Sequence, residues 1–187
     1  MNVRCQKLFR RVKNGDGFTL IEMLIVIIIL GILAMVIIPQ ITVSTDDARV
    51  STLKSNLTAV RSAIEVYYAQ HNMTYPGVKK ETDGTTATAN ATEAKAAFLA
   101  QMTLFSDANG KTAAAKDSTY KYGPYIKGGS LPDNPYSNND VVCDLTVTNL
   151  PVTRAVSGTV GWQYLPVLGV FFANDAGSSG GTAHISY

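Results

Sequence analysis

Cysteine is almost missing from this chain: its 187 residues hold two, Cys5 and Cys143. A fold stapled by several disulfides is therefore excluded, and a dithiol redox site would need a CxxC pair that does not occur. Histidine is equally scarce. His71 and His184 have no acid or thiol at metal-ligand spacing, no HExxH is present, and no glycine-rich run matches a phosphate loop. Nothing in the sequence supports catalysis, and the expectation is a protein that is not an enzyme. Charge is absent over a long stretch as well, since Glu22 is the only charged residue from Phe18 to Thr45. Cys143, next to Val141 and Val142 and near Leu145, reads as a buried thiol in a strand.

The segment without charge is apolar on every side. FTLIEMLIVIIILGILAMVII, residues 18–38, makes about 32 Å of helix at about 1.5 Å per residue, enough to cross a hydrocarbon core. Ahead of it Arg4, Lys7, Arg10, Arg11 and Lys13 against Asp16 give the first 17 residues a charge of +4. That excess places the N-terminus on the cytoplasmic side. The remaining residues carry −2 of the chain's net +2, so a product lacking the basic leader has no overall attraction for nucleic acid, and none is expected as a partner.

A secretory signal peptide would end in a small-x-small cleavage site, whereas this run continues through Val36, Ile37 and Ile38 into Pro39. Arg10-Arg11 as a twin-arginine signal fails on the same ground. A plain membrane anchor satisfies the hydropathy and leaves two features unexplained. One is Glu22, a carboxylate whose insertion costs on the order of 2–3 kcal/mol and normally marks a function. The other is Gly17 directly before the apolar run. A cut there would create an α-amino group on Phe18, able to pair with a Glu22 carboxylate in its own chain or a neighbour's.

Gly17-Phe18-Thr19-Leu20-Ile21-Glu22, followed by the unbroken apolar run with Pro39 near its end, resembles the prepilin signature of type IV pilins and type II secretion pseudopilins. The resemblance implies cleavage after Gly17 by a membrane-embedded prepilin peptidase and N-methylation of Phe18. It also implies an assembly role for Glu22, with Pro39 loosening the helix. The implied partners are further copies of the chain and other pilins or pseudopilins in a helical filament, an inner-membrane assembly platform with its ATPase, and lipid before assembly. The subunit would sit in the inner membrane with its C-terminal part outside, then in a periplasmic or cell-surface filament.

Beyond Pro39, Val50, Leu53, Leu57, Val60, Ile64, Tyr67 and His71 recur at spacings of three and four, an amphipathic helix stripe. Pro76 marks its end. His71 reads as a helix-end side chain. A Thr-, Ala- and Gly-rich loop over 77–92 precedes a short helix through Phe105, capped by Asn90 or Thr92, with Phe98, Leu99, Met102 and Phe105 on its apolar edge. Strands are expected in 141–147, 159–165 and 169–174, with a turn at Pro166–Gly169 and an edge strand from AHISY. The fold class is α+β: a long N-terminal helix, one half transmembrane and one half amphipathic, packed on a small C-terminal antiparallel sheet, the type IV pilin-like fold. The divisions are a leader 1–17, an assembly helix 18–38, its amphipathic continuation 39–76 and a globular part 77–187. Trp162, Tyr164 and Phe171 belong to the core.

The segments YGPYIKGGSLPDNPYSN (122–138) and GWQYLPVLGVFFAN (161–174) are similar to type II secretion protein G. This likeness favours a secretion pseudopilin over a pilus subunit for adhesion, motility or DNA uptake. The reading from another class is a membrane-anchored binding module that never polymerises. The likeness also raises calcium in the loops 133–140 and 174–181, with Asp133, Asp140 and Asp175 as carboxylate ligands beside Asn138 and Asn174. Turn-forming chemistry accounts for the same residues without a metal, and that reading is preferred.

Overall fold

A computed structural model describes residues 17–148, 160–179 and 181–187, with the backbone alone over 36–44. The leader, Cys5 included, lies outside the described residues apart from Gly17. The chain divides into two compact units, 1–44 and 45–187. One helix, α1 (Leu20–Gln70), runs through both stretches of sequence.

In the first unit α1 opens on Thr19 and is exposed on all sides over 20–35. Its backbone is helical through position 39, while the side chain of Pro39 lies outside the described residues. Among the described residues no helix is long and apolar enough to cross a membrane.

In the second unit most of the expected stripe is in place: Leu53, Leu57, Val60, Ile64 and Tyr67 are all buried, while Val50 is half-buried and His71, also buried, falls just past the helix end. The helix ends at Gln70, six residues before Pro76. Asn72 and Met73 adopt left-handed backbone (φ 52° and 55°), and the Met73 amide reaches back to the Tyr68 carbonyl at 3.1 Å. This is how helices commonly stop, here with non-glycine residues. Pro76 therefore bounds the helix without ending it.

Helix α2 (Ala91–Thr103) is capped as the sequence suggests, the Asn90 side chain accepting the Glu93 amide at 2.9 Å. The Glu93 carboxylate accepts the Ala89 amide at 2.9 Å in return. Ala94, Ala97, Phe98 and Met102 form its buried face together with Gln101. Phe105 falls beyond the helix, in β1 (Phe105–Ser106), paired with β2 (Thr112–Ala113).

The main sheet joins β3 (Val141–Cys143), β4 (Trp162–Leu165) and β5 (Val170–Ala173) in that order. β4 and β5 form the expected hairpin, with Tyr164 opposite Phe171. β3, in contrast, runs parallel to β4, so the sheet is mixed where an antiparallel meander was expected. A parallel neighbour needs a crossover rather than a tight turn, and the 18 residues between Cys143 and Trp162 supply the chain for one. The expected edge strand AHISY does not form: only Ala183 is extended, at the end of a separate two-stranded ribbon, β6 (Ser178–Ser179) with β7 (Thr182–Ala183), and a 3-10 turn follows over His184–Ser186.

One core joins these parts. The α1 stripe, Phe98 and Met102 of α2, and Val141, Cys143, Trp162, Tyr164, Phe171 and Ala173 of the sheet bury one another. Phe98 stacks on Tyr164 with ring centroids 4.2 Å apart, and Trp162 lies 5.2 Å from Phe171. At the β4–β5 turn Gly169 has φ 68°, and any Cβ there would lie 2.3 Å from the Tyr75 ring. Only glycine fits both demands.

Candidate functional site: the N-terminal segment and the C-terminal polar cluster

Gly17, Phe18 and Thr19 precede α1 and are exposed. The Gly17–Phe18 peptide bond thus lies outside regular structure. Nothing stands within 4 Å of where a Gly17 Cβ would be, so local packing gives no reason for glycine at this position.

One turn later the Glu22 carboxylate is already occupied. It accepts the Thr19 amide and the Thr19 hydroxyl, both at 2.7 Å, while the Glu22 amide approaches the Thr19 hydroxyl oxygen at 3.3 Å. This is a capping box, in which Thr and Glu three residues apart satisfy each other's orphan donors at a helix start. The sequence pattern Thr-x-x-Glu contains that signal, and the sequence reading missed it by treating Glu22 only as a lone charge awaiting an amine. Glu22 thus serves as a helix cap.

The loops considered for calcium meet in part. Asn134 donates to the Asp175 carboxylate at 2.7 Å and to the Gly161 carbonyl at 2.8 Å. Asp175 is otherwise committed to the Gly177 amide at 2.8 Å and to His184 Nδ1 at 2.7 Å. Asp140 turns away to the Lys95 ammonium, which with the Val141 amide holds its carboxyl below the usual carboxylate range. Asp133 engages through its backbone, its carbonyl accepting from Asn56 at 3.0 Å. Asn138 caps its own turn, accepting the Asp140 and Gly161 amides at 3.0 Å each, and Asn174 is fully buried. Asp133, Asp140 and Asp175 are not brought together, and among the described residues no three His, Cys, Asp or Glu side chains converge on a metal position.

Both histidines are buried. His71 Nδ1 lies 2.9 Å from the Tyr67 carbonyl and Nε2 lies 2.9 Å from the Ser106 hydroxyl, with its ring stacked 3.7 Å from that of Tyr67. Burial holds its pKa below the ordinary histidine value. It pins the end of α1 to β1.

Residues 13–38 match the family described as the prokaryotic N-terminal methylation motif. The type II secretion system core protein G of Aeromonas hydrophila is 30% identical over 126 residues, covering 67% of this chain and 71% of that protein. The chain belongs to the type IV pilin and type II secretion pseudopilin family. The core protein G of Pseudomonas aeruginosa is 39% identical over 68 residues, and the chain spans about half of that relative (47%) and uses 36% of its own length. A fimbrial protein of Neisseria meningitidis is 33% identical over 143 residues, covering 68% of this chain and 82% of that protein. No solved structure matches significantly. Pilins and pseudopilins are structural subunits rather than enzymes, and the methylation motif implies inner-membrane anchoring through the N-terminal segment.

Proposed function

We propose that this pilin-family chain is a structural subunit of a pilus-like filament of the type II secretion kind, cut after Gly17 and N-methylated on Phe18. The observation that carries the reading is the placement of Glu22. It is the only charge in the apolar segment, and it sits one helical turn beyond the exposed Gly17–Phe18 bond. Before cleavage its carboxylate is satisfied by Thr19. Cleavage places a cationic amine on Phe18, next to the capping residue, and that amine competes for the same carboxylate. Within one chain the pair stays local; between chains it sets the axial stagger of neighbouring helices.

The apolar residues from Leu20 to Met35 supply the attraction. They are exposed all round the helix, so lipid covers them before assembly and neighbouring copies cover them afterwards. Transfer from lipid to a helix bundle gains little hydrophobic energy, because lipid is as apolar as the bundle. Work from an assembly platform and its ATPase, together with polar specificity from Glu22, then decides the outcome. The positive leader keeps the N-terminus cytoplasmic and the globular unit outside.

A pilus subunit for adhesion, motility or DNA uptake is the second reading. It draws on the likeness to the meningococcal fimbrial protein, which extends over most of that relative. Mass spectrometry of the protein from membranes tests the processing step, with an N-methylated Phe18 terminus expected. An intact leader would leave a tethered binding module that does not polymerise. For assembly, Glu22→Ala is expected to insert and be cut normally while filament yield falls about tenfold or more, equivalent to ~1.4 kcal/mol per docking step. Wild-type yield would remove the carboxylate's role.

A further inference from the structure

Ser179, His184 and Asp175 stand in the relations that activate a serine nucleophile. Ser179 Oγ lies 3.0 Å from His184 Nε2, and His184 Nδ1 lies 2.7 Å from Asp175 Oδ1. The buried Asp175 carboxylate accepts from Nδ1–H, which leaves Nε2 as the acceptor and makes the Ser179 hydroxyl its donor. The orienting acid is itself fixed, Oδ1 by the Gly177 amide and Oδ2 by Asn134. Gly177 lets the imidazole lie against the backbone, since a Cβ there would come within 2.7 Å of the ring. The Tyr136 ring covers His184 with centroids 4.0 Å apart.

Asp175 and His184 are buried, whereas Ser179 is half-buried on the β6–β7 ribbon. The Tyr136 hydroxyl lies 3.0 Å from Ser179 Oγ. With the serine proton pointing to His184, the single Tyr136 proton is shared between Ser179 Oγ and the Asp46 carbonyl, 3.4 Å away. The same O–H can swing to an oxyanion formed on a carbon bonded to Oγ.

We propose that Ser179 is an activated nucleophile that accepts an acyl group from an activated carboxylic ester or thioester. Ser179 Oγ adds to the acyl carbon as its proton passes to His184 Nε2. The tetrahedral adduct collapses, the bond from carbon to the leaving group breaks, and the leaving group takes the proton from His184. The product is a Ser179 ester with neutral His184 restored. One acyl group is transferred per chain, so the site is a modification acceptor and adds no turnover to a structural subunit.

The test uses the full-length protein in detergent, treated with p-nitrophenyl acetate and, separately, with a fluorophosphonate, followed by peptide mapping. Ser178, exposed on the same ribbon, is the internal control. Acylation at Ser179 is expected to outpace that at Ser178 about 100-fold, the scale of a positioned general base. Asp175→Asn should lower the Ser179 rate at least tenfold with unchanged circular dichroism, and Ser179→Ala should remove the fast label. A Ser179 rate within threefold of that of Ser178 overturns the proposal. An Asp175→Asn protein that folds and keeps the wild-type rate overturns it as well. Should that variant fail to fold, the ratio of the two serines in the wild-type protein decides alone.

Discussion

Gln101 is a polar residue on the buried face of α2, and replacing it by leucine tests whether its bonds or its volume matter. Its Oε1 accepts the Gly77 amide at 2.8 Å, and its Nε2 donates to the Lys79 carbonyl at 3.0 Å and the Gly110 carbonyl at 2.9 Å. One side chain thus ties the loop after α1 and the turn after β1 to α2. Leucine fills the space and leaves three backbone groups without these partners. Gly77 and Gly110 are buried, so water does not replace the bonds there, and each orphan costs about 1–3 kcal/mol. Lys79 is half-buried and loses less. After the gain from burying leucine, the expected loss is about 3 kcal/mol. That is a large share of the ~5–15 kcal/mol available to a domain. With a urea slope of about 2 kcal/mol/M, the unfolding midpoint of a 45–187 fragment should fall by about 1.5 M. Thr103→Val is the control. Its hydroxyl only supplements a carbonyl inside the same helix, Leu99 at 2.7 Å, so a change below about 1 kcal/mol is expected. A Gln101→Leu loss as small as the control's would refute the reasoning.

Three further outcomes follow from the same fragment. Burial lowers the folded-state pKa of His71 below the unfolded value near 6.5. The unfolded chain therefore binds the extra proton first, and the stability present above about pH 6.5 is lost as pH falls below it. Urea midpoints measured from pH 7.5 to 5 should show a decline that His71→Gln flattens. Gly169→Ala meets both a positive φ and the Tyr75 ring, and should lose about 2–4 kcal/mol in urea unfolding. Gly128→Ala, with φ 97° and open space around it, should lose only about 1 kcal/mol. Cys143 is buried, and its thiol is pushed up to about 12. A thiol-reactive dye should leave it untouched in buffer and label it fully in urea.

What the sequence made legible was local or periodic. The stripe from Leu53 to Tyr67 follows from spacing and stands as read, and of the two caps the sequence offered, Asn90 and Thr92, the helix uses Asn90. The hairpin around Pro166–Gly169 follows from a turn between two β-rich runs. The end of α1 was misplaced because proline sets an upper bound on a helix, while Asn72 and Met73 took a left-handed conformation that non-glycine residues rarely adopt. The parallel pairing of β3 was hidden for another reason. Strand direction depends on where a long connection returns, and no residue of β3 encodes that. The contact of Asp175 with His184 also has no periodic signature, since a two-stranded ribbon folds residues nine apart onto each other. Composition identified the loops rich in Asp and Asn but could not say that the Asp175 carboxylate would be taken by an amide, an asparagine and a histidine, or that Asp140 would turn to Lys95.

The distribution of exposed apolar side chains argues for a division of labour between the two units. From Phe18 to Met35 most large apolar residues are exposed, between 45% for Met23 and 86% for Leu20. In the described part of the second unit the exposed large hydrophobics are Val66, Met73, Val142 and Val167. These are scattered in sequence, and single exposed hydrophobics are ordinary on a soluble surface. The described residues of the second unit therefore bury their large apolar side chains against one another, in the stripe of α1, in α2 and in the sheet. A contiguous apolar helix has no such cover of its own and requires lipid or other helices around it. Association should accordingly be lost by polar substitutions spread over Leu24 to Leu33 without any change in the stability of the globular unit. Destabilising the globular core should instead reduce the amount of subunit while leaving the helix's own capacity to associate intact.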